Sequence, residues 1–549
     1  MRISSIVVLF TASLLLLSCD DSPQLTDGRT VFRYNEMGAI TSLDPAASSS
    51  FENIWAVNQL FNGLVQVDDS LHILPCIAKS WEVSQDGLNY IFHLRNDVFF
   101  HPHPAFAGST SRKVNADDFV FSFNRLNDPE VSRAMSLLEV FDFSQEKNST
   151  LRSALSAVND STLCIRLKRP FRPLLNLLTM KYFSVVPKEA VEFSGKDFGK
   201  YPVGTGPFCF KMWDDSKLIF LKNNRYFEKE GGQPLPFLDA VNVSFIKDKQ
   251  SAFLQLLRGE IDLISGTDAI NIDVVFDQEG KLYPDFQNKI QVMTGPYLKT
   301  DYLGFFIEKR EGDSLNPVKI KAIRQAINYG FDREKMMRYF RNNIGRPAHN
   351  GFLPPGLSGY NNNKVHGYQY NPQKSRQLLT EAGFKDNNKL PEITLHVTDN
   401  YSDIAEFIQS QLNNVGIKMS VLVEPAREIN KAVFSGQYDF FRKSWICDYP
   451  DPENFLFLFY SKNYTPNGPN YFHFQNSEFD HCFELSQTEK NDSIRMELFY
   501  KMEKIILDES PVVPLFYDQV VRLTGVGISG MSINPMNLLD LRRVKKEMR

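Results

Sequence analysis

An α/β protein is what this sequence predicts, on three observations. The second half of the chain alternates strand and helix patterns, and nothing after the first 18 residues reaches the ~20 apolar residues of a membrane helix. At 549 residues the chain exceeds what one hydrophobic core accommodates, so two or three domains are expected. The alternation is explicit. Glu392 to Val397 puts Ile393, Leu395 and Val397 on one face of a strand. A helix with apolar Ile404, Ile408, Leu412 and Val415 follows, capped by Ser402 and stopped by Gly416. Ile417 to Val423 is a second strand, Ala426 to Ser435 a helix stopped by Gly436, and Tyr438 to Trp445 a third strand. That β-α-β-α-β order builds a lobe whose strand ends carry a ligand site.

The N-terminus sets the compartment. Arg2 is a one-charge basic start, Ile6 to Leu17 is an apolar run, and Leu16-Leu-Ser-Cys19 ends it. The run is too short to span a bilayer and has the form of a secretory signal. Asp20 to Gln24 then make a polar leash. Without residues 1–18 the balance is 60 basic against 65 acidic residues, a net charge of −5 (Arg2 is the one charge removed). Nucleic-acid binding calls for a basic surface, and this charge balance gives it no support. Cys76, Cys164, Cys209, Cys447 and Cys482 lack the CxxC spacing of a metal knuckle. Their number is odd, so at least one thiol is free or pairs elsewhere.

Along the first half, Thr30 to Tyr34 reads as a strand, Glu52 to Leu60 as a helix, and Tyr90 to Arg95 as an alternating strand. Asn115 is placed to cap a helix running through Leu126, with Asp117 and Asp118 in its first turn. Asp508 to Tyr517 reads as extended. Gly204-Thr-Gly206 runs into Pro207, so it is not a dinucleotide fingerprint, and Ser194-Gly-Lys196 lacks the upstream glycine of a P-loop. His101-Pro-His103 is poorly placed to fix a metal, and no HExxH or GxSxG string is present. No catalytic residue, metal site or cofactor is expected.

Ser444-Trp-Ile-Cys-Asp-Tyr-Pro-Asp-Pro452 carries the chemistry. It closes the third strand and delivers a carboxylate, Asp448, where Pro450 and Pro452 force the backbone out of the sheet. A carboxylate flanked by Trp445 and Tyr449 suits an ammonium group. A surface turn beside two core aromatics has the same composition.

An ordered set of short words runs through the chain. Leu43-Asp-Pro45, Leu60-Phe-Asn-Gly-Leu64, Ala78-Lys-Ser-Trp81, Phe92-His-Leu-Arg95 and Asn115-Ala-Asp-Asp-Phe119 come first. Pro202-Val-Gly-Thr-Gly-Pro-Phe208, Leu257-Arg-Gly-Glu-Ile-Asp262, Arg324-Gln-Ala-Ile327 and Asp332-Arg-Glu-Lys335 follow. Together they resemble the extracytoplasmic solute-binding proteins of peptide and nickel ABC importers, the oligopeptide- and dipeptide-binding type. Leu16-Leu-Ser-Cys19 likewise resembles a bacterial lipobox, with Cys19 acylated.

The resemblance implies a two-lobed periplasmic-binding-protein-like fold with hinge crossings and an extra subdomain on the first lobe. Residues 1–18 are then a lipoprotein signal peptide and 19–29 a tether. Residues 30–65, 200–296 and 508–549 form the first lobe, 66–199 the extra subdomain, and 297–507 the second lobe. The crossings fall near Gln291–Thr300 and Asp508–Tyr517. Asp448 takes the place of the carboxylate that pairs with a peptide's free amine. Backbone groups of Ser444 and Ile446 on one side, and of Ser49 and Phe51 on the other, would sandwich the peptide as an added strand. Arg442 takes the place of a cation for the ligand's C-terminus, with Trp445 and Tyr449 as flanking aromatics. The implied protein is a monomer, lipid-anchored to the bacterial membrane, facing the periplasm or cell exterior. It captures short peptides and delivers them to inner-membrane ABC permease subunits. Relatives of the same fold take nickel chelates, haem, glutathione or glycans, and a tethered hydrolase or a scaffold are the further alternatives.

Overall fold

The computed structural model describes residues 28–547 apart from 133, 144–153, 268–269, 311–315 and 385–389. Cys19, the leader and most of the tether lie outside the described residues. One large mixed sheet of 11 strands runs through the molecule. At its centre two long strands, Ile290–Phe305 and Val512–Gly525, lie antiparallel from Ile290↔Gly525 to Gly304↔Val512. To one side are Leu263–Ser265, Val31–Asn35, Ala240–Ser244, Lys217–Lys222 and Phe208–Trp213. To the other are Phe440–Ile446, Ile393–Val397 and Met419–Val423. The two sides are the two lobes, joined through the central pair.

The central ladder is interrupted between Pro296 and Thr300. Pro296 has no amide to donate, and Leu298 gives its N–H to the Pro535 carbonyl instead of to the partner strand. On the partner, the interruption falls between Tyr517 and Gln519. The sheet is therefore weakest in backbone pairing where the lobes meet.

Side chains close that gap. Asp301 is fully buried and faces Lys299 at 3.4 Å, the Arg442 guanidinium, and the Tyr401 hydroxyl at 2.7 Å. Lys299 also reaches Asp518 at 2.7 Å, and Asp518 takes Arg341 at 2.7 Å. Burial alone would raise the Asp301 carboxyl, but Arg442 and Lys299 overrule it and hold the group well below its ordinary value. Arg442 stacks on Tyr401, so its charge is held from two directions.

The second lobe follows the expected β-α-β-α-β order. Ile393–Val397 runs parallel to Met419–Val423 and meets Phe440–Ile446 at His396↔Phe441, with helices Ser402–Val415 and Ala426–Phe434 as crossovers. Gly416 and Gly436 both have positive φ and end those helices. The cap differs from expectation. A turn at Asp399–Tyr401 leads straight into the helix, and the Ser402 hydroxyl donates to the Asp399 carbonyl rather than accepting a helix amide. The run expected to be extended from Asp508 also starts later. Helix Asp492–Glu509 continues to Glu509, and left-handed Ser510 ends it before the strand begins at Val512.

Between residues 78 and 166 a separate four-stranded antiparallel sheet forms, ordered Ala78–Val83, Asn89–Leu94, Thr162–Arg166, Leu155–Asn159. Helix Ala116–Asn124 covers it, started by a reciprocal Asn115–Asp118 capping box. Its apolar face, with Phe92, Leu94, Ile165, Phe119 and Phe123, is continuous with Phe32, Phe220 and Val241 of the large sheet. One core thus serves both sheets. Gly204 and Gly206 press on the end of helix Phe51–Leu60, where an added Cβ would lie 2.0 and 2.4 Å from Leu60 backbone atoms. His101 braces that turn, accepting the Gly204 N–H at Nδ1 and donating from Nε2 to the Gly206 carbonyl.

Removing the Asp301 carboxylate strands Arg442, while Lys299 keeps Asp518, so Asp301→Ala should cost about 3–5 kcal/mol of unfolding free energy. Urea unfolding checks this, and a loss below about 1 kcal/mol contradicts the account of the central pair.

Candidate functional site

Strand Phe440–Ile446 pairs along its whole length with the central strand, from Lys299↔Ile446 to Phe305↔Phe440. On its other edge the pairing to Ile393–Val397 is a single position, Phe441. Residues 442–446 therefore present an edge that no strand among the described residues covers. Unpaired backbone N–H and C=O groups on such an edge accept an added strand.

The chain then leaves the sheet. Cys447 gives its N–H to Leu298, and Asn454 takes over the next residues. Asn454 Oδ1 accepts the Asp448 N–H at 2.9 Å and the Trp445 indole N–H at 3.2 Å, while its amide reaches Asp448 Oδ2 at 3.5 Å. Asp451 anchors the far end of the loop. Arg495 grips it through both carboxylate oxygens at 2.8 and 2.9 Å, and Asn176 of the first-lobe side reaches it at 3.2 Å.

Asp448 sits on this loop with its side chain toward a cavity of about 280 Å³ between the lobes. No cation pairs with it among the described residues. The residue exposes a large part of its surface, but that surface meets the cavity, and the surrounding protein atoms govern the carboxyl. Burial raises it to about 6, opposed by the Asn454 contact. Ser49 and Phe51 line the same cavity from the first lobe, and Ile446 lines it from the second. Phe51 and Ile446 also face a second cavity of about 350 Å³ that contains Glu36, Glu52 and Lys299. The pair thus stands as a waist between two chambers of one cleft.

Four expected site residues, Asp448, Ile446, Ser49 and Phe51, are brought together here. The other four are placed elsewhere. Arg442, expected to await the far end of a ligand, spends its charge on Asp301 and lines neither chamber. Trp445 packs edge-on against Phe457 in the second-lobe core. Tyr449 is buried and donates to Glu453 at 2.6 Å. The Ser444 side chain lies on neither chamber's lining, although its backbone belongs to the uncovered edge.

Sequence reasoning did not find Tyr182, which lines the chamber and whose hydroxyl is raised by burial and then by the nearby Asp448 charge. It also missed Lys181, Met536 and Leu538 on the same wall. Cys76, Cys164, Cys209, Cys447 and Cys482 are all free thiols. Among the described residues no group of three or more His, Cys, Asp or Glu is arranged to hold a metal, and no helix is long and apolar enough to cross a membrane.

Comparison with known proteins places this geometry. Residues 72–467 match the model of bacterial extracellular solute-binding proteins, family 5. The chain is 28% identical over 542 residues to heme-binding protein A of Haemophilus influenzae, covering 94% of each chain. It is 25% identical over 500 residues to the dipeptide-binding protein of Escherichia coli, covering 89% of each. An ABC-transporter-associated periplasmic binding protein of Helicobacter pylori, solved in complex with the peptide STSA, superposes with a TM-score of 0.76 at 26% identity. That match covers 95% of this chain and 99% of that one.

A carboxyl raised on folding opposes folding once it ionises. Ligand-free protein should therefore lose stability relative to Asp448→Asn as pH rises from about 4 through 6, the two being level below about pH 4. Thermal unfolding of both proteins across that range tests this, and a difference independent of pH would contradict an unpaired Asp448.

Proposed function

This chain belongs to the bacterial extracellular solute-binding proteins of family 5, and from that premise we propose that it is a receptor that captures short peptides between its lobes. The observation that carries the reading is Asp448, a cation-less carboxylate in an interlobe chamber beside an uncovered strand edge. A peptide supplies both missing partners. Its α-ammonium neutralises Asp448, and its backbone N–H and C=O groups pair along residues 442–446. Because every peptide offers those groups, tolerance of side-chain sequence follows.

The neighbours' names support this choice of ligand. One relative is a dipeptide-binding protein, and the Helicobacter pylori structure holds a peptide. The Haemophilus influenzae relative is named for heme. A ligand without an amine leaves Asp448 unpaired in the closed cleft, which weighs against that class here.

The same reading covers delivery. In this reading the leader ending at Cys19 is a lipoprotein signal, and the receptor is a lipid-anchored monomer outside the cytoplasm that hands its ligand to the membrane permease of an ABC importer. Binding performs no chemistry. Capture is tied to lobe closure because the chamber draws Ser49 and Phe51 from one lobe and Ile446 and Asp448 from the other.

Titration calorimetry with a tripeptide and its N-acetylated form tests the anchor. Acetylation and Asp448→Ala should each cost about 2–5 kcal/mol of binding free energy, without adding to each other. Equal binding of the acetylated peptide by wild-type protein would sink the reading. Affinity of wild type should also fall as pH drops below about 6, where Asp448 protonates.

A further inference from the structure

The chamber that holds Asp448 has a second ionisable group with no partner. Lys181 lies in the short turn Lys181–Phe183 of the first-lobe side. It lines the 280 Å³ chamber and also a recess of about 50 Å³ behind it, the two spaces sharing Val67, Thr179 and Leu538. Among the described residues no hydrogen bond or ion pair reaches its ammonium. Asp69 and Asp540 line the recess beside it; Asp69 accepts from the Ser532 hydroxyl, and the remaining charges are committed to one another. Arg542 grips Asp540 through both carboxylate oxygens and binds Glu228, which in turn accepts from Gln66. Burial pushes the neighbouring Cys76 thiol up to about 12, so it stays neutral. Burial likewise lowers Lys181 to about 8, which leaves it largely charged at neutral pH.

A half-buried ammonium that faces a cavity without a partner gains from an anion brought to it. The recess admits a carboxylate or a pair of waters, but no ring. Lys181 lines both the recess and the chamber, and Asp448 lines the chamber.

Resting on the peptide reading above, we propose that Lys181 determines specificity by binding a carboxylate on the ligand residue whose ammonium Asp448 holds. The receptor then prefers peptides that begin with an acidic residue. One wall reads the amine and the other reads the acid, so the first residue is selected as a zwitterionic unit. The rest of the peptide passes the waist of Phe51 and Ile446 into the second chamber.

Titration calorimetry of the exported protein with Glu-Ala, Gln-Ala and Ala-Ala is the test. Wild type should bind Glu-Ala at least about tenfold tighter than Gln-Ala, the size expected of one charge-assisted hydrogen bond. Lys181→Met should bring the two within about twofold, and Lys181→Arg should keep the preference. Equal affinities for Glu-Ala and Gln-Ala in wild type overturn the proposal with no variant needed, as does a preference that survives in Lys181→Met. If none of the three peptides binds, the peptide reading falls and this inference falls with it. Binding without preference removes the inference alone.

Discussion

The Asp301 carboxylate, sunk in the sheet between Lys299 and Arg442, holds the strands from which both lobes hang. It lies where the backbone ladder of the central pair is interrupted, so side-chain charge replaces hydrogen bonds that Pro296 and its neighbours cannot make. Two buried cations and the Tyr401 hydroxyl surround it, and its carboxyl is held low. A junction built this way keeps the lobes in register while leaving the backbone there lightly paired. That combination suits a hinge: hinges take up φ/ψ change at a few residues while the bodies on either side stay packed.

A second aspartate, Asp448, shows the opposite balance on the loop just past the neighbouring strand. Burial without a cation raises it, where burial with two cations lowers Asp301. The difference separates a structural carboxylate from one that awaits a partner. Asn454 fixes the position of Asp448 without neutralising it, and Arg495 fixes the loop through Asp451. The protein therefore spends its arginines on shaping the site and leaves its anchor charge uncompensated. Family membership says that a solute fills the cleft, and the free charge says what chemistry that solute brings.

Much of this was legible in the sequence, for identifiable reasons. The alternation of Ile393, Leu395 and Val397, and the glycines at 416 and 436, mark a β-α-β-α-β lobe because period and helix stops are local properties. Asp448 just past a strand end follows from Pro450 and Pro452. Arg442 could not be placed that way. Its partner Asp301 lies diagonally across from it, with Leu303 directly opposite, and only the strand register reveals that. Lys181 and Tyr182 sit in a segment without pattern, some 270 residues from Asp448 in the chain, and meet it only in the fold. Ser402 looked like a cap because Ser before an apolar helix usually is one, but the turn at Asp399–Tyr401 had already begun the helix.

The central claim is that the cleft is built for a peptide with a free amine. Native intact-mass measurement of the protein purified from its host, without its lipid, tests this most directly. A heterogeneous set of bound masses corresponding to peptides of roughly two to five residues is expected, absent from Asp448→Ala, because main-chain pairing tolerates many sequences. A single discrete mass such as a metal chelate or a glycan, retained by Asp448→Ala, would keep the fold and contradict the ligand.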